Sequence, residues 1–459
     1  MLMSEAVPYL LADAVRTAHS GPQRLSRVQR IRLRNLVRHA RTASPFHRHH
    51  YRGVPSGCDR LSQLPVLDKP TLMSNFDDWV TDPDVTLEDL RRDFLSREDC
   101  VGRLYRGRYL VMTTSGTTGE PAVVLQDRLS WRVYNILGRT RPQPVVRRID
   151  LAELARRGIR NAALFATGGH FGAVALAERV RGISPFLADR TRVLSVLRPI
   201  DELVAELNSF QPTLLSGYPS VFVLLAAEQR AGRLRIDPVH ILCAGELFTP
   251  AMREAVYSAF GCPITQGYAA IEVPALAIEC THGFPPFKLD VCLLETADSD
   301  RRPVPPGVLS DSALVTNLAN RIQPIIRYDL GDRVMLQPQP CVCGSSFPVV
   351  AVEGRTNDLL SFETAEHRSV QILPLALGVV IEETPGVHRF QAIGTGPRDL
   401  TIRLDVDDEA VRGDVERAVG SRVREFLGSH HVSDVTITCA SEPPRQEPRS
   451  GKLRQVLQA

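Results

Sequence analysis

The sequence has little net charge, no long apolar run and no repeat, and each absence removes a class of protein. Lys plus Arg exceed Asp plus Glu by three across 459 residues. The basic residues gather only into scattered Arg-rich helical patches, so nothing implies a nucleic-acid partner. The first residues, "MLMSEAVPYLLADAVRTA", bring an acid early, no basic start and an apolar run too short for a signal or a span. The expectation is a cytoplasmic protein with no membrane partner. Nine Cys, an odd number with two in a C-x-C pair, do not suit a secreted disulfide scaffold. The thiols are expected to be reduced or metal-bound.

What the chain does contain is enough apolar material, 43% of its residues, to fill the two or three domains its length implies. Residues 24–42 repeat apolar positions at three and four with Arg between them, which predicts a helix with one buried stripe and a solvated basic face. From about 109 to 350, short β-rich runs ("YLVMTT", "AALFAT", "TLLSGY", "HILCAG", "PITQGY") alternate with helical ones ("SVFVLLAAEQRAGRL", "PAMREAVYSAFG"). That order predicts an α/β fold whose sheet is mostly parallel, with active loops at the strand C-termini. Beyond "VEGRTND" the pattern changes to "VHRFQAIGTG", "LTIRLDVDD", a long helical run and "VTITCA", which predicts a small α+β domain. The boundary is expected near 357, giving domains 1–356 and 357–459.

One stretch is poor in packing side chains. "TTSGTTGEPAV" (113–123) follows an apolar strand and crowds Thr, Ser and Gly together. Gly116 and Gly119 let backbone N–H groups close on an anion, and Ser115, Thr117 and Thr118 add hydroxyls, so phosphate is the natural guest. Glu120 and Pro121 follow Gly119 where a Walker loop would have Lys and Ser or Thr. Alone, a Gly/Thr-rich turn of this kind is more often a plain loop than a phosphate cradle.

Its companions are more specific. The loop, "AGE" (244–246), "QGYAAIE", "YDLGD" (328–332), "GRTND" (354–358) and the late "RSGKLR" together resemble the adenylate-forming ligases over nearly the whole chain. "ARTASPFHRHHY", "LPVLDKPTLMSNF" and "CVCG" look like the phenylacetate–coenzyme A ligase and its capsule-biosynthesis relatives. The resemblance implies a large N-terminal domain of mostly parallel sheets with flanking helices and a small mobile C-terminal domain. It implies ATP-dependent activation of a carboxylic acid, an aromatic one on the branch resemblance, to an acyl-adenylate with release of pyrophosphate. Transfer to coenzyme A then gives a thioester.

Residue by residue, it implies that Thr114, Ser115, Gly116, Thr117, Thr118 and Gly119 hold phosphates. Glu272 would bind Mg²⁺, Tyr268 would stack on adenine, and Ala244, Gly245 and Glu246 would lie beside the base. Asp332 would take the ribose hydroxyls, Arg355 would face ribose and phosphate, and Lys452 would enter from the small domain during adenylation. Lys452, Glu272 and Thr118 are the residues expected to act on the reacting phosphate. Gly169, His170, Phe171, Tyr218, Ala269 and Ala270 match the acyl pocket, although a core aromatic or a satisfied turn histidine fits these positions as well. Cys280, His282, Cys341 and Cys343 form a C-x-H and C-x-C set suited to structural tetrahedral Zn²⁺.

Three departures from the family pattern qualify this. Asn357 stands where a hinge Asp is usual, Ile271 stands for a common Ser or Thr, and "DLLSFETAEHRSVQI" has no Gly where a pantetheine arm would pass. An amine or carrier-protein acceptor in natural-product biosynthesis therefore stays open. A phosphotransferase and a zinc-clipped binding module are the readings from other classes, and related ligases imply a possible homodimer.

Overall fold

The computed structural model describes residues 7–459 apart from 115–120, 141–150, 247, 280–290, 353–359, 365–367, 407 and 446–454. The chain opens with helices. Helix Pro22–Ala43 buries Leu25, Leu33, Leu36, Val37 and Ala40, the stripe its three-and-four spacing predicts. It stops at Ser44 because Pro45 follows, and the Ser44 side chain then caps the next helix by accepting from the His47 N–H.

Strands β1 (Leu104–Tyr105), β2 (Tyr109–Thr113) and β3 (Val123–Gln126) form an antiparallel sheet. The run "YLVMTT" therefore belongs to a hairpin outside the parallel sheet, a pairing that the apolar run alone could not distinguish. The parallel sheet begins at β4 (Asn161–Phe165) and continues through β5 (Thr191–Ser195), β6 (Leu214–Gly217), β7 (His240–Ala244) and β8 (Ile264–Ala270). Its order is β5-β4-β6-β7-β8, closed by antiparallel β9 (Val273–Ile278). Helices Gly172–Arg181, Ile200–Phe210, Pro219–Arg230 and Pro250–Phe260 connect these strands. The order reverses around β4, so the crevice outside the C-terminal ends of β4, β6, β7 and β8 is where a doubly wound sheet admits a ligand.

Strands β10 (Cys292–Ala297), β11 (Ser312–Asn317) and β12 (Tyr328–Asp329) make a second antiparallel sheet, and β13 (Val334–Leu336) pairs with β14 (Val350–Val352). Every residue of β11 is buried. β15 (Leu360–Glu363) and β16 (Ser369–Ile372) form a hairpin in the stretch without Gly. The C-terminal α+β unit follows, with β17 (Val387–Gly396), β18 (Asp399–Val406), β19 (Thr436–Ala440) and β20 (Val456–Gln458) in the order β19-β18-β17-β20. β18 alternates buried positions with half-buried or exposed ones, and helix Arg412–Ser429 places Val415, Val419, Val423 and Phe426 in the core.

Candidate active site

Four strand ends build one wall of the crevice. Past β4 the chain turns through Gly168, whose φ of 105° suits glycine, then Gly169, His170 and Phe171 lead into helix Gly172–Arg181. Past β6, Tyr218 precedes a helix with Pro at its first position. Past β7, Gly245 has φ 88°, and a Cβ there would lie 2.9 Å from Cε1 of Tyr218. The Tyr218 ring therefore rests on the Gly245 backbone, held also by an edge contact with Phe165 at 5.1 Å. Past β8, Ile271 and Glu272 form the turn into β9, and Ile271 packs against Gly172 so closely that a Cβ on Gly172 would sit 2.5 Å from its Cγ2.

The charged groups are held by specific partners. Glu272 is 6% exposed; its backbone carbonyl accepts from Asn317 Nδ2 at 2.7 Å. The Tyr328 hydroxyl is hydrogen-bonded to the Glu272 side chain, and burial, followed by that carboxylate's charge, pushes the Tyr328 hydroxyl pKa up. Tyr268 donates its hydroxyl to Asp332 Oδ2 at 2.8 Å. The two residues thus meet across 64 positions of sequence. Asp332 follows a tight turn in which Gly331, φ 68°, donates its N–H to Asp329. Glu246 Oε2 accepts from the Ser220 N–H at 3.0 Å, placing a carboxylate at the start of helix Pro219–Arg230. Burial raises the Glu246 pKa, partly offset by those Ser220 bonds.

The Thr/Gly stretch joins β2 to β3. Residues 115–120, and with them Ser115, Gly116, Thr117, Thr118 and Gly119, lie outside the described residues. Their anchors are described: Thr114 N–H donates to Ala122 O at 3.1 Å, and Thr114 Oγ1 accepts from Ala122 N–H at 2.9 Å. Thr114 thus clamps the loop's neck. Thr113 N–H donates to His170 O at 2.8 Å, tying the hairpin to the β4 wall. On the far side, Asn320 and Gln323, both fully buried, bond the backbone of Leu125 and Val123, so a polar segment fixes β3.

Other expected residues fall as follows. His170 is 2% exposed with Nε2 against Arg97 O at 3.3 Å; burial lowers its pKa, and Nδ1 has no partner among the described residues. Phe171, Tyr218 and Ala270 are half-buried and Ala269 is exposed. Arg355, Asn357, Lys452, Cys280 and His282 lie outside the described residues. Cys341 is buried and Cys343 exposed, and no group of three or more metal-ligating side chains gathers among the described residues. Asn317 and Tyr328, which support Glu272, were not singled out from the sequence; Tyr328 lies inside "YDLGD", while nothing marks Asn317. The small unit approaches this crevice: Glu383 Oε1 lies 3.6 Å from where a Cβ on Gly168 would be, and His431 Nε2 lies 3.4 Å from Asp201 Oδ2.

The fold is shared with solved structures of 2-hydroxyisobutyryl-CoA ligase. The chain superposes on 2-hydroxyisobutyryl-CoA ligase in complex with 2-HIB-AMP and CoA in the thioesterification state with a TM-score of 0.59, at 18% identity, covering 96% of this chain and 91% of that one. The same ligase with R3-HIB-AMP in the postadenylation state gives 0.57 at 18% identity, covering 97% and 91%. In sequence, the chain is 26% identical to protein CapK of Staphylococcus aureus over 231 residues, 50% of this chain and 49% of CapK, so it spans about half the length of that relative. No family model matches the chain. No helix among the described residues is long and apolar enough to cross a membrane.

Proposed function

We propose that the protein is an AMP-forming carboxylic acid ligase that makes an acyl-adenylate from ATP and an acid and passes the acyl group to coenzyme A. The observation that carries the reading is the convergence of Glu272, the Tyr268–Asp332 pair and the neck of the Thr/Gly loop on the strand C-termini of this fold.

The reaction needs an acid carboxylate placed in line with the α-phosphate and a site that accepts the charge of departing pyrophosphate. In this reading Thr114 to Gly119 take the departing phosphates. Tyr268 stacks on adenine, with Ala244, Gly245 and Glu246 beside it. Asp332, already held by Tyr268, accepts from the ribose hydroxyls, and Arg355 faces ribose and phosphate. Glu272 suits a magnesium ion because it is a buried carboxylate, a hard oxygen donor, at the strand ends. Magnesium there would neutralise phosphate charge. Lys452 is one of three lysines in the chain, and its ammonium would face the carboxylate and α-phosphate during adenylation only. The acid lies against Gly169, Phe171, Tyr218, Ala269 and Ala270, while the His170 ring is buried on the Arg97 carbonyl; the half-buried rings of Phe171 and Tyr218 suit an aromatic acid.

A second acceptor class is kept by one observation: the stretch just past the expected hinge folds as the β15–β16 hairpin and has no Gly to pass a pantetheine arm. An amine or carrier-protein thiol would replace coenzyme A there. We also place a zinc clip at Cys280, His282, Cys341 and Cys343 on the chemistry of its donors; metal analysis of purified protein that returns no zinc removes it. The domain division 1–356 and 357–459, a homodimer and a cytoplasmic location belong to the same proposal.

The test is acid-dependent exchange of labelled pyrophosphate into ATP. The wild type exchanges with its acid, while Lys452→Ala loses exchange yet still transfers acyl groups from supplied adenylate. Full exchange by Lys452→Ala contradicts the role given to the lysine, and exchange without acid contradicts the ligase.

A further inference from the structure

Residues 7–52 hold ten Arg and one acid, Asp13, in a chain whose whole basic surplus is three. The acid is already used, because Asp13 pairs with buried Arg32. Arg34 is matched by Asp59 from the following segment. Arg16, Arg24, Arg27, Arg30 and Arg38 are exposed and have no ion pair among the described residues. Positions 24, 27 and 38 share one face of helix Pro22–Ala43, opposite its buried stripe.

Aliphatic side chains stand exposed beside them. Helix Val7–Ala18 packs through Leu10 and Ala14 against Val133 and Leu137 of helix Arg128–Thr140. Its outer side nevertheless carries Val7, Leu11 and Val15, 50%, 44% and 43% exposed, one turn apart. Leu11 and Val15 line a shallow surface groove together with Arg16, His19 and Arg24. Ile31, 40% exposed, continues the mixture one to two turns along from Arg24 and Arg27.

We propose that this helix pair is a docking surface for an anionic lipid bilayer. Guanidinium forks match phosphate oxygens, and an adjacent row of aliphatic side chains matches the acyl boundary just beneath them. An acidic protein would satisfy the arginines and leave the aliphatic row without purpose. Nucleic acid would call for stacking rings, and the exposed row is aliphatic. The assignment replaces both the solvated face and the absence of a membrane partner expected from the sequence, and is independent of the reaction the crevice performs.

The experiment is co-sedimentation of the full-length protein with vesicles of phosphatidylcholine alone or with one third phosphatidylglycerol, at low and high salt. Binding to the anionic vesicles is expected to be about tenfold stronger and to disappear at high salt. Arg24→Glu/Arg27→Glu/Arg38→Glu should lose it, and Leu11→Ser/Val15→Ser should weaken it at low salt. Both variants should keep wild-type thermal melts and acid-dependent AMP formation, since these residues lie outside the catalytic crevice.

Equal binding to neutral and anionic vesicles, or to neither, overturns the proposal. So does capture by polyglutamate with no need of Leu11 and Val15, which would indicate an acidic protein partner. Dimerisation lost in Leu11→Ser/Val15→Ser, without vesicle binding, would make the face an interface between copies.

Discussion

The Tyr268 hydroxyl holds the Asp332 carboxylate at 2.8 Å, so the residue assigned to the ribose is oriented before nucleotide arrives. A hydrogen bond to a charged acceptor contributes about 1.5 kcal/mol, roughly tenfold in an equilibrium constant. Tyr268→Phe is therefore predicted to raise the KM for ATP about tenfold with little change in kcat or melting temperature, read from steady-state kinetics at varied ATP. An unchanged KM would detach the pair from nucleotide binding. At this scale the sequence was informative where chemistry is written in residue type: Tyr268, Glu272 and Asp332 stand in recognisable runs. It was silent where burial decides. Asn317 is fully buried and holds the carbonyl of Glu272, yet "VTNLAN" does not distinguish it from a loop asparagine. His170 was weighed as a pocket residue and stands 2% exposed against the Arg97 carbonyl, a contact 73 positions away that no local reading supplies.

Elements show the same division. The parallel strands β4, β6, β7 and β8 were legible because apolar runs alternate with helical periods. The β2–β3 hairpin was read as one more such strand because its partner, "VVLQ", lies across the Thr/Gly loop and carries no periodicity of its own. β15 and β16 went unread for a related reason, since four-residue strands give almost no pattern. Loop geometry yields a prediction at Gly245, where φ is 88° and a Cβ would meet Tyr218 at 2.9 Å. Gly245→Ala should cost about 2 kcal/mol through backbone strain and overpacking. Its melting temperature should fall by several degrees, and a melt equal to wild type would mean that the Tyr218 ring moves freely. Because Tyr218 would be displaced toward the acid, kcat/KM for the acid should fall more than that for ATP.

For the whole molecule, buried histidines set an acid limit. Burial, followed by the charges of His50 and His39, lowers His47 to about 3, and burial lowers His240 to about 4. Both stay neutral in the fold while the unfolded chain takes up protons below about 6.5. The unfolded state thus binds more protons, and stability falls as pH drops, by about 2 kcal/mol per histidine between 6.5 and 5. Glu246 and Glu383, whose pKa values are raised by burial, act in the opposite sense, so the histidine contribution is read by difference. Denaturant melts at pH 7 and pH 5 should show a smaller loss for His47→Asn than for the wild type, and equal losses would contradict the assignment. The central claim concerns what the whole chain makes. Mass spectrometry of products after incubation with Mg-ATP and a pool of aromatic and aliphatic acids, with and without coenzyme A, addresses it most directly. The account predicts AMP that depends on an acid, together with an acyl-CoA mass; ADP, or nucleotide turnover indifferent to every acid, would contradict it.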